Sequence, residues 1–272
     1  MTDEVDLYDR FLALHTPGTP LLIPNPWDLG SAKILESLGF QALATTSSGF
    51  AATLGRLDGT VTRDEALTHV AQLCEATSVP VSADLEHAFA DDPAGVSATV
   101  SAAIEVGAAG CSIEDSTGRR DDPIYEASLA RERVEAAVEA AHSGARRLVL
   151  TARAEGYLHH DQPDLDDVIA RLQSFQEAGA DVLYAPGLTD LEEIRRVVSS
   201  LDRPVNVLAV PKAPSVAELA EAGVARISVG GGFAYAALGG LVKAAQELMT
   251  SGTYGYWEGA AAGRAAVRSA LG

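Results

Sequence analysis

Cysteine is scarce in this 272-residue chain: Cys74 and Cys111 stand far apart, each inside an apolar periodic segment. Two thiols so placed exclude a disulfide framework and read as small buried core residues, which suits a reducing cytoplasm. Long apolar runs are missing as well. No stretch approaches the roughly 18–20 uninterrupted apolar residues of a membrane span, and Met1 to Asp6 has neither the basic nor the apolar part of a secretory leader. Positive charge is the third shortage: 20 Lys+Arg against 38 Asp+Glu give a formal net charge of −18, with no Lys/Arg run. Phosphate backbones and anionic lipid surfaces both call for the opposite balance, so neither nucleic acid nor a membrane is an expected partner. These shortages leave a soluble, cytoplasmic protein.

What is present is rhythm. Eight short apolar runs recur, at Leu21–Pro24, Gln41–Thr45, Val79–Asp84, Gly110–Glu114, Leu148–Arg153, Val182–Ala185, Val205–Ala209 and Arg226–Val229. Most are continuous rather than alternating, the pattern of parallel strands covered on both faces. Helical spacing fills most intervals. Thr62/Glu65, Thr189/Glu192 and Ser215/Glu218 have capping-box spacing, in which a hydroxyl and a carboxylate satisfy free N–H groups at a helix start; Asp92-Pro93 is a cap followed by proline at the first helical position. Gly39, Gly107, Gly179 and Gly223 end helical patterns just before a strand, where a left-handed residue turns the chain. Gly230-Gly231-Gly232 fits a tight strand-to-helix turn or an anion cup.

Length permits one or two domains, since an α/β barrel uses roughly 250 residues as one. No Pro/Gly/Ser-rich linker divides the chain, and no G-x-G-x-x-G or P-loop lysine follows an early strand, as a doubly wound sheet would normally carry. The expectation is an α/β protein, a single (β/α)8 TIM barrel over residues 1–272. The barrel proper covers about 20–247, with an extra N-terminal helix at Val5–Leu14 and a helical tail at about 248–272.

In such barrels functional groups gather where strands end and βα loops begin. Asp84 and Glu86 flank Leu85 at the end of the third strand; residues two apart on a strand face the same way, which would aim both carboxylates into one cavity. Glu114 ends the fourth strand beside Asp115. Three carboxylates brought together repel unless a cation, water or a base joins them, and oxygen-only ligation suits Mg2+ or Mn2+ better than Zn2+. Helix capping or solvent exposure is the plainer use of such acids. Arg153, in Thr151-Ala-Arg-Ala-Glu155, suits either a bidentate clamp on a substrate carboxylate or a salt bridge to one of the same acids. The loop Thr45-Thr-Ser-Ser-Gly49 offers the hydroxyls and N–H groups of Thr46, Ser47 and Ser48, as an anion nest or an ordinary turn. Asp58, in Leu54-Gly-Arg-Leu-Asp58-Gly59, is a catalytic acid/base or a turn aspartate. His87 is a general acid/base or a solvent-facing loop residue, and His159-His160 lacks a third ligand at metal spacing. Trp27 and Phe89 wall the site or pack in the core.

Taken together, Asn25-Pro-Trp-Asp28, the Thr-Thr-Ser-Ser-Gly loop, Leu-Gly-x-x-Asp58, Ala83-Asp-Leu-Glu86, Ser112-Ile-Glu-Asp115 and Thr151-Ala-Arg153 occur in an order that resembles the isocitrate lyase/phosphoenolpyruvate mutase superfamily, from about Phe11 to Glu247. The resemblance implies a modified TIM barrel in which Mg2+ holds a 2-oxo acid or its enolate. It implies that Asp84, Glu86 and Glu114 form the metal site, directly or through water. Arg153 and the backbone of Thr46 and Ser47 would hold the substrate carboxylate, Asp58 would lie near the reacting centre, and Asn206 would point into the pocket as a donor. Homo-oligomers, dimers or tetramers with exchanged terminal helices, are expected on the same basis.

The chain also departs from the family pattern. The Lys-x-Cys-Gly-His loop of family lyases reads Asp115-Ser-Thr-Gly-Arg-Arg-Asp-Asp-Pro123, without Cys or His, and the Lys and Asn-Ser of mutases and phosphonopyruvate hydrolases are absent. Asp-x-Asp-Thr-Gly-Tyr-Gly becomes Asp84-Leu-Glu-His-Ala-Phe-Ala90, and the strand-six Pro-Glu becomes Ala185-Pro186. Three functions follow as expectations. The first is a Mg2+-dependent lyase or decarboxylase that breaks a C–C bond of a small 2-oxo or 2-hydroxy carboxylic acid through an enolate. The second is a phosphoenolpyruvate/phosphonopyruvate mutase or hydrolase. The third is a non-catalytic 2-oxo-acid-binding protein.

Overall fold

The computed structural model describes residues 7–272. Its strands are β1 (Leu21–Ile23), β2 (Leu43–Ala44), β3 (Val81–Asp84), β4 (Gly110–Glu114), β5 (Val149–Arg153), β6 (Val182–Tyr184), β7 (Val205–Leu208) and β8 (Arg226–Ser228). Every one lies inside the apolar run that predicted it. All pair in parallel, in the order β1-β8-β7-β6-β5-β4-β3-β2, with helices between successive strands. The architecture is a (β/α)8 barrel with additional helices.

Alternation along the strands sorts side chains into two layers. Leu148, Leu150 and Ala152 face the helices in the larger apolar cluster, while Leu21, Ile23, Ala44, Val149 and Val182 point inward and fill the lower barrel. The N-terminal helix Leu7–Ala13 plugs that end with Phe11. Val5 and Asp6 of the expected helix lie outside the described residues. Gly110 is required for the plug: a Cβ there would come within 2.6 Å of Phe11 Cε1 and 2.9 Å of the Val149 carbonyl oxygen.

β1 and β2 stand at the two ends of the order and share no ladder. The gap is closed by one backbone bond, Ala44 N–H to Pro24 C=O at 3.0 Å, and by the buried side chain of Asn25. Asn25 Nδ2 donates to the Thr45 carbonyl at 2.8 Å, and its Oδ1 accepts from the N–H groups of Val229 and Gly230 at 2.9 Å each. A single amide therefore stitches the upper ends of β1, β2 and β8.

Helix starts follow the expected chemistry at Thr62/Glu65, Ser215/Glu218 and Asp92-Pro93. Thr189/Glu192 is not a cap: Asp190 caps the helix Leu191–Ser199, accepting from the N–H groups of Glu192 and Glu193. The aspartate is one residue nearer the helix and carries charge toward the positive end of its dipole, so it displaces the threonine. Gly39, Gly107, Gly179 and Gly223 all take positive φ, between 83° and 106°. After β8 come two long helices, Gly232–Thr250 and Trp257–Leu271, the second packing on the helix Leu29–Ser37. No helix among the described residues is long and apolar enough to cross a membrane.

Candidate active site

β3, β4 and β5 end side by side, so their last residues, Asp84, Glu114 and Arg153, meet at the upper mouth of the barrel. The Arg153 guanidinium is shared among three carboxylates. Nη1 lies 3.1 Å from Asp84 Oδ1, Nη2 3.2 Å from Glu114 Oε2, and Nε donates to Glu155 Oε1 at 2.7 Å. The Tyr184 ring covers the same guanidinium, its centroid 5.3 Å from Cζ. Glu86 adds a fourth acid. Burial, then the charges of Asp84 and Asp58, push the Glu86 carboxyl up to about 8. Burial also raises Glu114 well above the ordinary carboxylate range, against the lowering effect of Arg153 and with Glu155, Asp84 and Glu86 adding to the rise. For Arg153, burial opposes the charge, yet Glu155, Glu114 and Asp84 hold its pKa well above the guanidinium value. One cation is too little for this many buried acids.

Glu86 arrives by an unexpected route. β3 stops at Asp84, so strand alternation does not reach Glu86; it sits in a left-handed turn with φ +50°, followed by Ala88 at +59° and Phe89 at +54°. Ala88 holds the position of a family glycine, in a conformation that costs a residue with a Cβ about 1–2 kcal/mol. Tertiary contacts impose it. Buried Arg133 donates from Nη1 to the carbonyls of Ala90 and Asp91 and from Nη2 to that of His87, and Thr99 Oγ1 donates to the Ala88 carbonyl at 2.9 Å.

Thr46, Ser47 and Ser48 form a helix start rather than a plain turn. Thr46 caps the helix Ser47–Thr53, its Oγ1 lies 3.2 Å from Ser48 Oγ, and the Ser47 N–H donates to Asp84 Oδ2 at 3.0 Å. The proposed substrate cradle thus holds one of the chain's own carboxylates. Asp58 is an exposed turn residue, accepting from the Gly59 N–H at 3.1 Å, and it nevertheless borders the site. Two connected recesses result. The inner one, about 200 Å³, is lined by Thr46, Ser47, Ser48, Asp58, Asp84 and Arg153, and reaches down to Arg226. The outer one, about 310 Å³, shares Ser47, Asp58 and Arg153 and adds Glu86, Glu114 and Glu155.

Asn206 does not line either recess. Its amide is committed, Nδ2 donating to Ser228 Oγ at 3.0 Å and Oδ1 accepting from Arg226 Nε at 3.0 Å, so it positions neighbours from below. His87 also lies outside both recesses, half-buried against Phe89, and burial, then Arg133, lowers its pKa. His159 borders the outer recess. Trp27 lines a separate apolar pocket with Phe233, and Phe89 packs into the core. Glu155, Tyr184 and Arg226 were not anticipated. Glu155 carried a signal, because it lies two residues beyond Arg153; Asp115 holds it there by accepting from its N–H at 2.8 Å.

The family model described as phosphoenolpyruvate phosphomutase matches residues 11–249. A crystal structure of a Burkholderia cenocepacia J2315 protein, provisionally assigned as a lyase/mutase, superposes with a TM-score of 0.92 at 48% identity, covering 97% of this chain and 95% of that one. The 2-methylisocitrate lyase of Escherichia coli (strain K12) is 29% identical over 71% of this chain and 70% of its own length. The oxaloacetate decarboxylase of Pseudomonas entomophila (strain L48) is 28% identical over 85% of this chain and 80% of its own. The chain belongs to the isocitrate lyase/phosphoenolpyruvate mutase superfamily.

Among the described residues no group of three or more His, Cys, Asp or Glu side chains is arranged to hold a metal ion directly. The donor set nevertheless fits a hard divalent cation. It is all oxygen, it is crowded with acids whose protons are held first by burial and then by mutual repulsion, and Mg2+ commonly keeps several waters while engaging only one or two carboxylates.

Proposed function

We propose that the protein is a Mg2+-dependent lyase or decarboxylase that cleaves a C–C bond of a small 2-oxo or 2-hydroxy carboxylic acid through an enolate. The observation that carries this reading is the convergence of Asp84, Glu86, Glu114 and Glu155 around the single cation of Arg153. Asp84, Glu86 and Glu114 would hold Mg2+, or Mn2+ in its place. Bound there, the ion would supply Lewis-acid stabilisation of charge developing on the enolate oxygen. Arg153 and the N–H groups at Thr46 and Ser47 orient the substrate carboxylate, with Ser48 beside them. Asp58, which borders both recesses, moves the proton at the reacting centre. Two of the relatives named above are a 2-methylisocitrate lyase and an oxaloacetate decarboxylase, which supports the reaction class.

We also read the protein as a homo-oligomer, a dimer or tetramer. In the helix Gly232–Thr250 only Ala234 is buried, and Leu241, Leu248 and Met249 stand exposed. The pair of unbonded thiols accords with a cytoplasmic setting.

The test is incubation with Mg2+ and a panel of oxaloacetate, isocitrate, 2-methylisocitrate, other 2-hydroxy acids and phosphonopyruvate, following pyruvate, glyoxylate and phosphate. Product carbonyl acids, lost with chelator and reduced at least about 100-fold by Glu114→Ala, support the lyase. Phosphate release would select the hydrolase alternative, and conversion of phosphonopyruvate to phosphoenolpyruvate without phosphate release the mutase. Metal-dependent 2-oxo-acid binding without any product would select the binding protein.

A further inference from the structure

Arg226, the first residue of β8, points into the barrel below the acidic mouth and is 3% exposed. A guanidinium so deeply placed normally has a carboxylate partner, because an uncompensated buried charge is costly. Here every hydrogen-bond partner among the described residues is neutral. Nε donates to Asn206 Oδ1 at 3.0 Å, and Nη1 donates to Thr151 Oγ1 at 3.0 Å and to His15 Nε2 at 3.5 Å. His15 is neutral: burial, then Arg226 itself, lowers its pKa to about 3, and its Nδ1 faces the Phe11 carbonyl at 3.0 Å. The acids of the site are spent on Arg153 instead.

A guanidinium has five N–H donors, and these contacts use three. Among the described residues the two on Nη2 have no protein partner. They are not sealed in, since the sealed and unpaired side-chain atoms among the described residues are Arg63 Nε and His69 Nε2 alone. Arg226 lines the inner recess, where Ser82, Ser112 and Ser228 add hydroxyls around it. Burial pushes its pKa down to about 10, against a raising effect of Tyr184, and the charge of Arg153 adds to that drop; the recess has cations at both its depth and its rim, and its acids, Asp84 and Asp58, make no ion pair with Arg226.

We propose that Arg226 is a deep anion subsite that takes the second carboxylate of a dicarboxylate substrate, the first being held at the rim by Arg153. Asn206 and His15 engage Nε and Nη1, which leaves the Nη2 edge available to an anion, and neither brings a charge that would quench it. The recess, about 200 Å³, has room for roughly six waters, which matches a four- or five-carbon acid. This rests on reading the recess as the 2-oxo or 2-hydroxy acid pocket.

Malate and 2-hydroxybutyrate test it, because they differ only in a terminal carboxylate replaced by methyl. In calorimetric titrations with Mg2+, the wild-type protein should prefer malate by roughly 10- to 100-fold. Arg226→Met should abolish the preference while leaving 2-hydroxybutyrate affinity in place, and Arg226→Lys should keep part of it. Asn206→Asp, nearly isosteric, sets a counter-ion beside Arg226 and should also remove the preference; it carries the test if Arg226→Met fails to fold. A preference that survives Arg226→Met or Asn206→Asp overturns the inference, as does an equal loss for both ligands. Equal wild-type affinity for the two ligands overturns this inference alone, whereas a wild-type protein that binds neither overturns the reading of the pocket with it.

Discussion

Glu86 shows how a site stores unfavourable charge. Its carboxyl is raised from 4.5 to about 8, so between those values the folded protein binds a proton that the unfolded chain has released. Stability must then fall as pH rises through that window. Chelator-stripped protein should lose urea resistance from pH 5 to pH 8, and Glu86→Gln should remove much of that loss, gaining on the order of 1–3 kcal/mol over wild type at pH 8 and little at pH 5. No such difference would mean that Glu86 is solvated and ordinary. The site was partly legible beforehand. Asp84, Glu114 and Arg153 could be read because each is the last residue of a strand. Glu86 borders the recess by a route that strand alternation does not describe, since the left-handed turn is set by Arg133, 47 positions away in sequence and invisible to local pattern. Arg226 was hidden for another reason: an arginine opening an apolar run looks like a boundary residue, and only the barrel turns it inward.

Elements differ in how they are joined, and the weakest join is between β1 and β2. Asn25 there satisfies the Thr45 carbonyl and the N–H groups of Val229 and Gly230. Asn25→Ala would leave one buried and two half-buried groups unpaired and should cost about 2–4 kcal/mol, measured by urea denaturation. Amide exchange at Val229 and Gly230 should accelerate with it. An unchanged midpoint would show that water replaces the side chain fully. Continuous apolar runs and glycine stops made the strands and helix ends readable, because both record purely local requirements. The cap at Asp190 was misread because two acceptors stand in adjacent positions, and only the helix's actual first turn decides between them.

At the scale of the molecule, a net charge of −18 repels the anionic substrates proposed for it. Added salt screens that repulsion, so at saturating Mg2+ kcat/KM should rise, by about twofold or more, between 10 and 150 mM NaCl. A fall would show that local attraction by Arg153 and Arg226 governs the encounter. The exposed apolar side chains of Gly232–Thr250 bear on assembly. Light scattering should give a multiple of the 28.2 kDa chain, and Leu241→Asp combined with Met249→Asp should shift it toward monomer.

The pairing of β1 with β8 has a further consequence, for the timing of assembly. Leu21 is hydrogen-bonded into register with Arg226, so one of the first strands to be synthesised waits for the last. The same closing step brings Asn25 to Val229 and carries Arg226 beneath the cavity. Between the synthesis of Arg153 and that of Arg226 the nascent chain therefore carries the acids and Arg153 of β3 to β5 with no floor beneath them. Ligand-binding competence would appear late and abruptly, and a chain cut short before β8 would be unable to hold its substrate at all.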